Sequence, residues 1–395
     1  MSKPALLLVT RNLPPHVGGM ERLIWHCIDE LAQDFNVHVI GPTGCRAHLP
    51  ADMGVTEIPI QPLPWFLLRV KLATLWQGLR VRPAVCFAGS GLTAPFTWLA
   101  AKLNRAQSVV YLHGLDIEAN NHPVYRIVWH WFLRRVDTAL VNSHFTRKLA
   151  LDIGVPASRL HVIHPGVHLP DHECAQERRQ AFRAHHGLTD TTPIMLYVGR
   201  ITQRKGLSVF VQHSLPQVMQ HCPDAKLVVV GDESRSALLK NTGQMAQIQQ
   251  SLKDNEISSA VLFLGEKAKD DPELTSAYFA ADVLIFPVQS QAHDNEGFGM
   301  VAIEAAAHGL PTVAFAAGGV VDAICDDQSG TLVAANDHLA MQQAVLRYLL
   351  HEHPHVTPAS CRAFAEAFSW QHFGQQLRQV CRHSLSHSLN GETIQ

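Results

Sequence analysis

ALLLVTRNLPPHVGGMERLIWHCIDELAQDFNVHVI, residues 5–40, decides the fold class. Residues 5–10 are a buried-strand run. A proline-containing turn at residues 11–16 leads to Gly18-Gly19. Residues 20–35 then show apolar positions at helical spacing, and residues 36–40 read as the next strand. Strand, glycine loop, helix and strand in that order open a doubly wound α/β sheet. Such sheets hold ligands at the carboxyl ends of their strands. Gly18-Gly19 falls short of the full G-x-G-x-x-G fingerprint, so a helix start without a ligand fits it as well.

The same units recur outward from this stretch. Residues 84–88, 108–112, 138–141 and 160–163 read as strands. The second of these ends in His113-Gly114-Leu115-Asp116, and Asn142-Ser143 can cap the helix after the third. Residues 171–186 are charged and helical, a connector. A second α/β unit begins with the strand 194–198, followed by Gly199-Arg200, Lys205-Gly206 and a helix to about residue 221. Strands follow at 226–230, 261–264, 282–287 and 312–315, the second ending in Gly265-Glu266. Residues 358–385 read as one long terminal helix. A chain of 395 residues is too long for one ordinary domain and suits two.

Composition narrows the function classes. The 32 basic and 34 acidic side chains leave a net charge of −2, which argues against bulk nucleic-acid binding. The 8 cysteines are scattered without a C-x-x-C pair, which points to reduced thiols in a cytoplasm rather than disulfides or a zinc site. The opening apolar run is too short for a signal peptide, and no run reaches the ~18 apolar residues of a membrane span.

Residues 294–311, DNEGFGMVAIEAAAHGLP, carry the densest chemistry. Gly297 and Gly299 flank Phe298, so the backbone there can come close to a ligand. A helix starting near Phe298 would aim its first free N–H groups at whatever lies beside the loop, a site suited to phosphate. Glu304 follows Glu296 by about two turns, which would put both carboxylates on one side of the helix. Two solvated acids on an amphipathic helix fit that spacing equally. Upstream, Arg200 offers a planar fork of donors and Lys205 a point charge, together able to neutralise a diphosphate leaving group. Two surface cations are the plainer reading. There is no D-x-D sequence. Asp270-Asp271 and Asp326-Asp327 are adjacent pairs of the kind that mark turns, so no metal site is expected.

At this point a resemblance becomes specific. GRITQRKG (199–206), EGFGMVAIEAAAHGLPTVAF (296–315) and AGG (317–319) resemble the retaining glycosyltransferases of family 4, which have the GT-B fold. GGMER (18–22), HGLD (113–116), VNSHFTRKL (141–149) and HPGV (164–167) fall in the family's order, so the likeness runs from about residue 5 to 335. It implies two Rossmann-like α/β domains facing each other across a cleft. The expected boundaries are 1–185 for an acceptor domain, 186–357 for a nucleotide-sugar domain, and 358–395 for a helix crossing back to the first.

The resemblance also implies roles. Arg200 and Lys205 match the pair that holds the donor diphosphate. Glu296 matches the acid that contacts the donor sugar, and Glu304 the acid that accepts from the ribose hydroxyls. The loop and amides of Gly297, Phe298, Gly299, Met300 and Val301 match those around sugar and phosphate. Gly265 and Glu266 match the turn under the nucleobase. Gly18 and Gly19 match the loop that closes on the phosphates, and His113 a histidine near the sugar and the attacking hydroxyl. Glu296, His113, Arg200 and Lys205 are thus the expected catalytic set, with His113 positioning rather than abstracting a proton. Asp322 departs from the Glu that many relatives carry there. The implied activity is retaining, metal-independent transfer from a UDP- or GDP-sugar to a glycan or lipid-linked acceptor, in polysaccharide, lipopolysaccharide or glycolipid synthesis. The nucleotide-sugar is a co-substrate and no cofactor is expected. An epimerase on the same fold, transfer to a soluble acceptor and a non-catalytic binding module are the alternatives.

One stretch suggests where the acceptor is met. Residues 58–115 contain no Asp or Glu, yet include Arg69, Lys71, Arg80, Arg82, Lys102 and Arg105. Within it, residues 63–83 interleave Trp65, Phe66, Leu68, Leu72 and Trp76 with basic side chains. Residues 125–137 combine Trp129, Trp131 and Phe132 with Arg126, Arg134 and Arg135. That chemistry suits an anionic bilayer surface; a core helix with a basic rim is the alternative. The expected location is cytoplasmic, peripheral on the inner face of the cytoplasmic membrane.

Overall fold

The computed structural model describes residues 3–16, 18–118, 123–233, 243–268, 270–353 and 355–390, without the side chains of 123–125 and 386–390. Two compact units emerge, Met1–Gly166 with Trp370–Gln395, and Val167–Ser369.

The first unit is built on seven parallel strands: β1 (Ala5–Val9), β2 (Asn36–Pro42), β3 (Gly54–Ile58), β4 (Val85–Ala88), β5 (Gln107–Leu112), β6 (Thr138–Val141) and β7 (Leu160–Val162). Their order is β3-β2-β1-β4-β5-β6-β7, with every pairing parallel. β1 is an interior strand between β2 and β4, and Leu6, Leu7, Leu8 and Val9 are fully buried. This is why its sequence is a continuous apolar run: helices cover both faces, and no position is left for a polar side chain. The helix Gly19–Ala32 follows the glycine pair and buries Leu23, Ile24, Cys27, Ile28 and Leu31. The chain's last described helix, Trp370–Asn390, packs on it. Arg378 pairs with Glu30, and Arg382 reaches Asp34 at 2.5 Å. Trp370 stacks on His26 with centroids 3.6 Å apart.

The second unit has six parallel strands: β8 (Ile194–Val198), β9 (Lys226–Val230), β10 (Val261–Gly265), β11 (Val283–Phe286), β12 (Thr312–Phe315) and β13 (Gly330–Val333). Their order is β10-β9-β8-β11-β12-β13, again all parallel. Each unit therefore has a Rossmann-like order in which the chain winds one way from its first strand and then the other. The reversal falls between β1 and β4 in one sheet and between β8 and β11 in the other.

The unit boundaries differ from the expected 185 and 357. The connector helix Ala175–His185 belongs to the second unit, because two arginines pin it there. Arg179 and Arg183 both reach Asp282 at the start of β11. Arg183, 1 % exposed, also donates to the carbonyls of Thr189, Asp190, Thr192 and Ala280. The single terminal helix expected over 358–385 is two, Pro358–Glu366 and Trp370–Asn390. The break lies where Phe368 accepts from the amide of Val167 at 2.7 Å and Ser369 bridges Val167. The helix expected after Gly206, to about residue 221, is likewise two, Leu207–His213 and Leu215–His221, divided at Ser214 ahead of Pro216. Two edge strands, β3 and β13, had no signal strong enough to be read from sequence. Among the described residues, no helix is long and apolar enough to cross a membrane.

Candidate active site

The reversal between β8 and β11 separates the two loops that leave their carboxyl ends, and this makes a crevice at that edge. Into it go the turn 199–206, which follows β8, and the loop 287–299, which follows β11. The two segments are tied together. The amide of Gln289 donates to the Arg204 carbonyl at 2.8 Å. Gly206 has φ +72°, and a Cβ there would run into the Pro287 carbonyl, so only glycine fits.

Side chains complete the junction. Lys205 donates to Glu296 Oε2 at 2.8 Å. Arg204, which the sequence reading did not assign, pairs through Nη1 with the same oxygen and through Nε with Asp294 at 3.1 Å. Lys205 is 14 % exposed and Glu296 15 %. Burial would raise the Glu296 carboxyl, but the Lys205 and Arg204 charges and their hydrogen bonds outweigh it and hold the group at about 2. Burial lowers the Lys205 ammonium, with Glu296 opposing the shift. Lys205 also lies 5.2 Å from the Phe286 ring. Arg200, by contrast, is exposed and makes no ion pair among the described residues; Tyr197 holds its carbonyl at 3.0 Å.

Glu296 is not on a helix, which corrects the expectation that both acids share one helical side. It lies in the loop, where the amide of Gly319 donates to its carbonyl at 2.7 Å. The helix starts at Met300 rather than Phe298, capped by Gly299 in the left-handed region. Phe298 is buried, with its ring 5.9 Å from that of Phe368. Met300 and Val301 form the first turn, and Gly297 lies in the loop beside Glu296. Glu304 lies within the helix, 8 % exposed, with Oε2 accepting from Tyr278 Oη at 3.2 Å. His308 stacks on Tyr278 at 4.7 Å and binds the Glu304 carbonyl through Nδ1 at 2.7 Å. Burial, with His172 and Arg178 adding to it, pushes the His308 imidazole down to about 3. The ring is therefore neutral, with the proton on Nδ1, and serves as a fixed support for the helix and for Tyr278.

Gly265 ends β10 with φ +69°, accepting from Gly231 at 2.8 Å, and Glu266 beside it is exposed. They stand at the same sheet edge, two strands from β8. Of the adjacent acid pairs, Asp271 caps the helix Pro272–Ala280, and Asp326 accepts from the Leu332 amide.

The remaining residues lie in the first unit. Gly18 precedes the helix that begins at Gly19, with extended backbone at φ 166°. His113 follows β5 directly, 5 % exposed, its Nε2 2.8 Å from the carbonyl of Gly89, the residue after β4. A carbonyl can only accept, so Nε2 carries the proton and Nδ1 presents a lone pair. Nδ1 has no hydrogen-bond partner among the described residues.

Comparison with known proteins agrees with this anatomy. Residues 178–367 match the family Glycosyl transferases group 1, and residues 17–170 match Glycosyltransferase Family 4. The chain is 26 % identical, over 348 residues, to the GDP-mannose-dependent alpha-(1-6)-phosphatidylinositol monomannoside mannosyltransferase of Mycolicibacterium smegmatis, covering 86 % of this chain and 88 % of that one. It is 32 % identical over 292 residues to the D-inositol 3-phosphate glycosyltransferase of Xylanimonas cellulosilytica, covering 69 % of this chain and 65 % of the relative. Among solved structures, Anabaena HepE in complex with UDP superposes with a TM-score of 0.78 at 19 % identity, covering 96 % of this chain and all of that one. WaaG, a glycosyltransferase of lipopolysaccharide biosynthesis, does so at 0.66 and 17 %, covering 95 % and 99 %. These likenesses span both units, and with the motifs on the two sheet edges they settle the assignment: the chain belongs to the family 4 glycosyltransferases of the group 1 type and has the GT-B fold.

Proposed function

We propose that the enzyme moves a sugar from a UDP- or GDP-sugar to a hydroxyl of a lipid-linked or glycan acceptor. Transfer retains the anomeric configuration, needs no divalent metal, and serves cell-envelope polysaccharide, lipopolysaccharide or glycolipid synthesis. The observation that carries the reading is the meeting of Lys205 and Glu296 at the β8/β11 reversal, beside the helix that holds Glu304. An ammonium has three protons and Glu296 takes one, which leaves donors for a phosphate oxygen. Arg200, exposed and without an ion pair among the described residues, is the second phosphate ligand. As the diphosphate leaves, its growing charge is met by these cations and by the first amides of the helix at Met300 and Val301, the work that a metal does elsewhere. Glu304, braced by Tyr278, accepts from the ribose, Glu296 from the donor sugar, and Gly265 and Glu266 lie under the base. In the first unit, the Nδ1 lone pair of His113 accepts from a substrate hydroxyl, and the pair Gly18-Gly19 is that unit's own anion loop. The names of the mannosyltransferase and of UDP-bound HepE support the two donor nucleotides considered.

A thermal-shift screen of UDP- and GDP-sugars tests the donor, since a ligand of the folded state raises its melting temperature by mass action. Radiolabelled donor then separates transfer or slow hydrolysis from epimerisation. A protein that binds none of these nucleotides would refute the reading.

A lipid-linked acceptor is favoured by the helix Leu63–Val81. One face buries Phe66, Val70, Thr74, Gln77 and Gly78. The opposite face exposes Trp65, Leu68, Leu72, Trp76 and Leu79, each 46–62 % accessible. At 3.6 residues per turn these five fall within an arc of about 80°. Arg69, Lys71 and Arg80 are also exposed on this helix, and Leu103, Ile127 and Trp131 extend the unit's exposed apolar surface. An apolar stripe with basic flanks and no acid matches an anionic bilayer, each cation adding ~1 kcal/mol. Co-sedimentation with anionic vesicles, weakened by salt and by R69E with K71E, is the expected result. Equal binding to neutral vesicles, or dimerisation through this face instead, would overturn it.

A further inference from the structure

Arg204 takes no part in the donor reading above, yet it is the most heavily engaged cation at the β8/β11 crevice. Its side chain is 17 % exposed. Nε pairs with Asp294 at 3.1 Å and Nη1 with Glu296, while its carbonyl receives the Gln289 amide. Three contacts thus fix one residue of the β8 turn against the loop that follows β11.

The atoms chosen matter. Lys205 and Arg204 both bind Glu296 through Oε2, and Oε1 accepts no hydrogen bond among the described residues. A carboxylate held by one oxygen can still rotate about its bond to the chain. A planar guanidinium clamped at its other end by Asp294 resists that rotation, because its donors keep fixed directions. The charges also balance: Arg204 and Lys205 face Asp294 and Glu296. Arg204 is thereby committed to carboxylates, whereas Arg200, nearby in sequence, makes no ion pair among the described residues.

We infer that Arg204 is a positioning residue that holds Glu296 by Oε2 and presents Oε1 to the hydroxyls of the donor sugar. The inference rests on the donor reading above. It predicts a separation between the two halves of the donor. Losing Arg204 should leave the grip on the nucleoside diphosphate intact and loosen only the grip on the sugar.

Calorimetric titration of the full chain with UDP and GDP, and with the nucleotide-sugar it binds, tests this. R204M should bind the free nucleoside diphosphate within about twofold of wild type and the nucleotide-sugar about tenfold more weakly, the effect of a lost charged hydrogen bond. R204K should recover only part, because one ammonium lacks the fork that spans Asp294 and Glu296. Adding R204M to E296Q should cost little more, since both act through one carboxylate. Weaker binding of the free nucleoside diphosphate by R204M would make Arg204 a phosphate ligand and overturn the inference. So would unchanged nucleotide-sugar binding, or full additivity with E296Q. Should R204M fail to fold, R204K and D294N carry the same comparison. Wild-type protein that binds no nucleotide at all would refute the donor reading instead.

Discussion

Replacing Glu296 by glutamine removes one negative charge from a cluster of four and tests whether that charge is held as the geometry says. In the folded protein Lys205 and Arg204 hold the carboxyl at about 2, against an ordinary 4.5. That gap, at about 1.4 kcal/mol per pH unit, corresponds to about 3 kcal/mol in full. The side chain is 15 % exposed, so solvent screening removes little of it. The folded value is depressed, so this stabilisation is fully present above pH 4.5 and is lost as pH falls toward 2. At pH 3 the folded carboxylate is still largely ionised while the unfolded one is mostly protonated, so about 2 kcal/mol is gone. The amide that E296Q puts in its place cannot titrate. The stability difference between wild type and E296Q should therefore shrink by about 2 kcal/mol between pH 7 and pH 3. For a unit of this size that is a change of about 4–8 °C in the melting-temperature gap. Thermal melts of both proteins at matched ionic strength read it directly, and the subtraction cancels the carboxylates outside this cluster. A gap that stays constant over this range would show that Glu296 is not held ionised by Lys205 and Arg204, and the electrostatic account of the site would fail.

Three further outcomes follow from the same geometry. K205A should keep its fold by circular dichroism yet lose on the order of a hundredfold or more in kcat, the effect of removing one donor to a developing anion; near-normal turnover would remove Lys205 from the leaving-group role. E304A should raise the donor KM more than it lowers kcat, and Y278F should do the same more mildly by removing one hydrogen bond to the carboxylate; a pure kcat effect in either would argue against ribose contact. Activity should survive EDTA, and NMR coupling constants should show the donor's anomeric configuration kept in the product; loss restored by magnesium or manganese, or an inverted product, would contradict the proposed chemistry.

Much of this protein is legible in its sequence. β1, β8 and β11 are buried on both faces, so they appear as unbroken apolar runs. Gly206 follows Lys205 because its φ and the nearby Pro287 carbonyl exclude a side chain. The α/β class and the two units follow from such local demands and from length, while the motif residues come from the resemblance. The domain boundary was misplaced because helix Ala175–His185 looks solvated; it takes Arg183, buried on carbonyls of its own unit, to show where it belongs.

The site itself is different. Residues 204–205 and 294–296 lie about ninety positions apart, and β9 and β10 come between them in the chain. Only the order β10-β9-β8-β11 makes β8 and β11 neighbours and brings their loops together. Spacing along a supposed helix suggested that Glu296 and Glu304 share one side of it, but the chain turns at Gly299 before the helix begins. What Glu296 meets is Lys205 and Arg204. No local pattern encodes that choice, because a buried carboxylate takes its partners from whichever strand the sheet sets beside it.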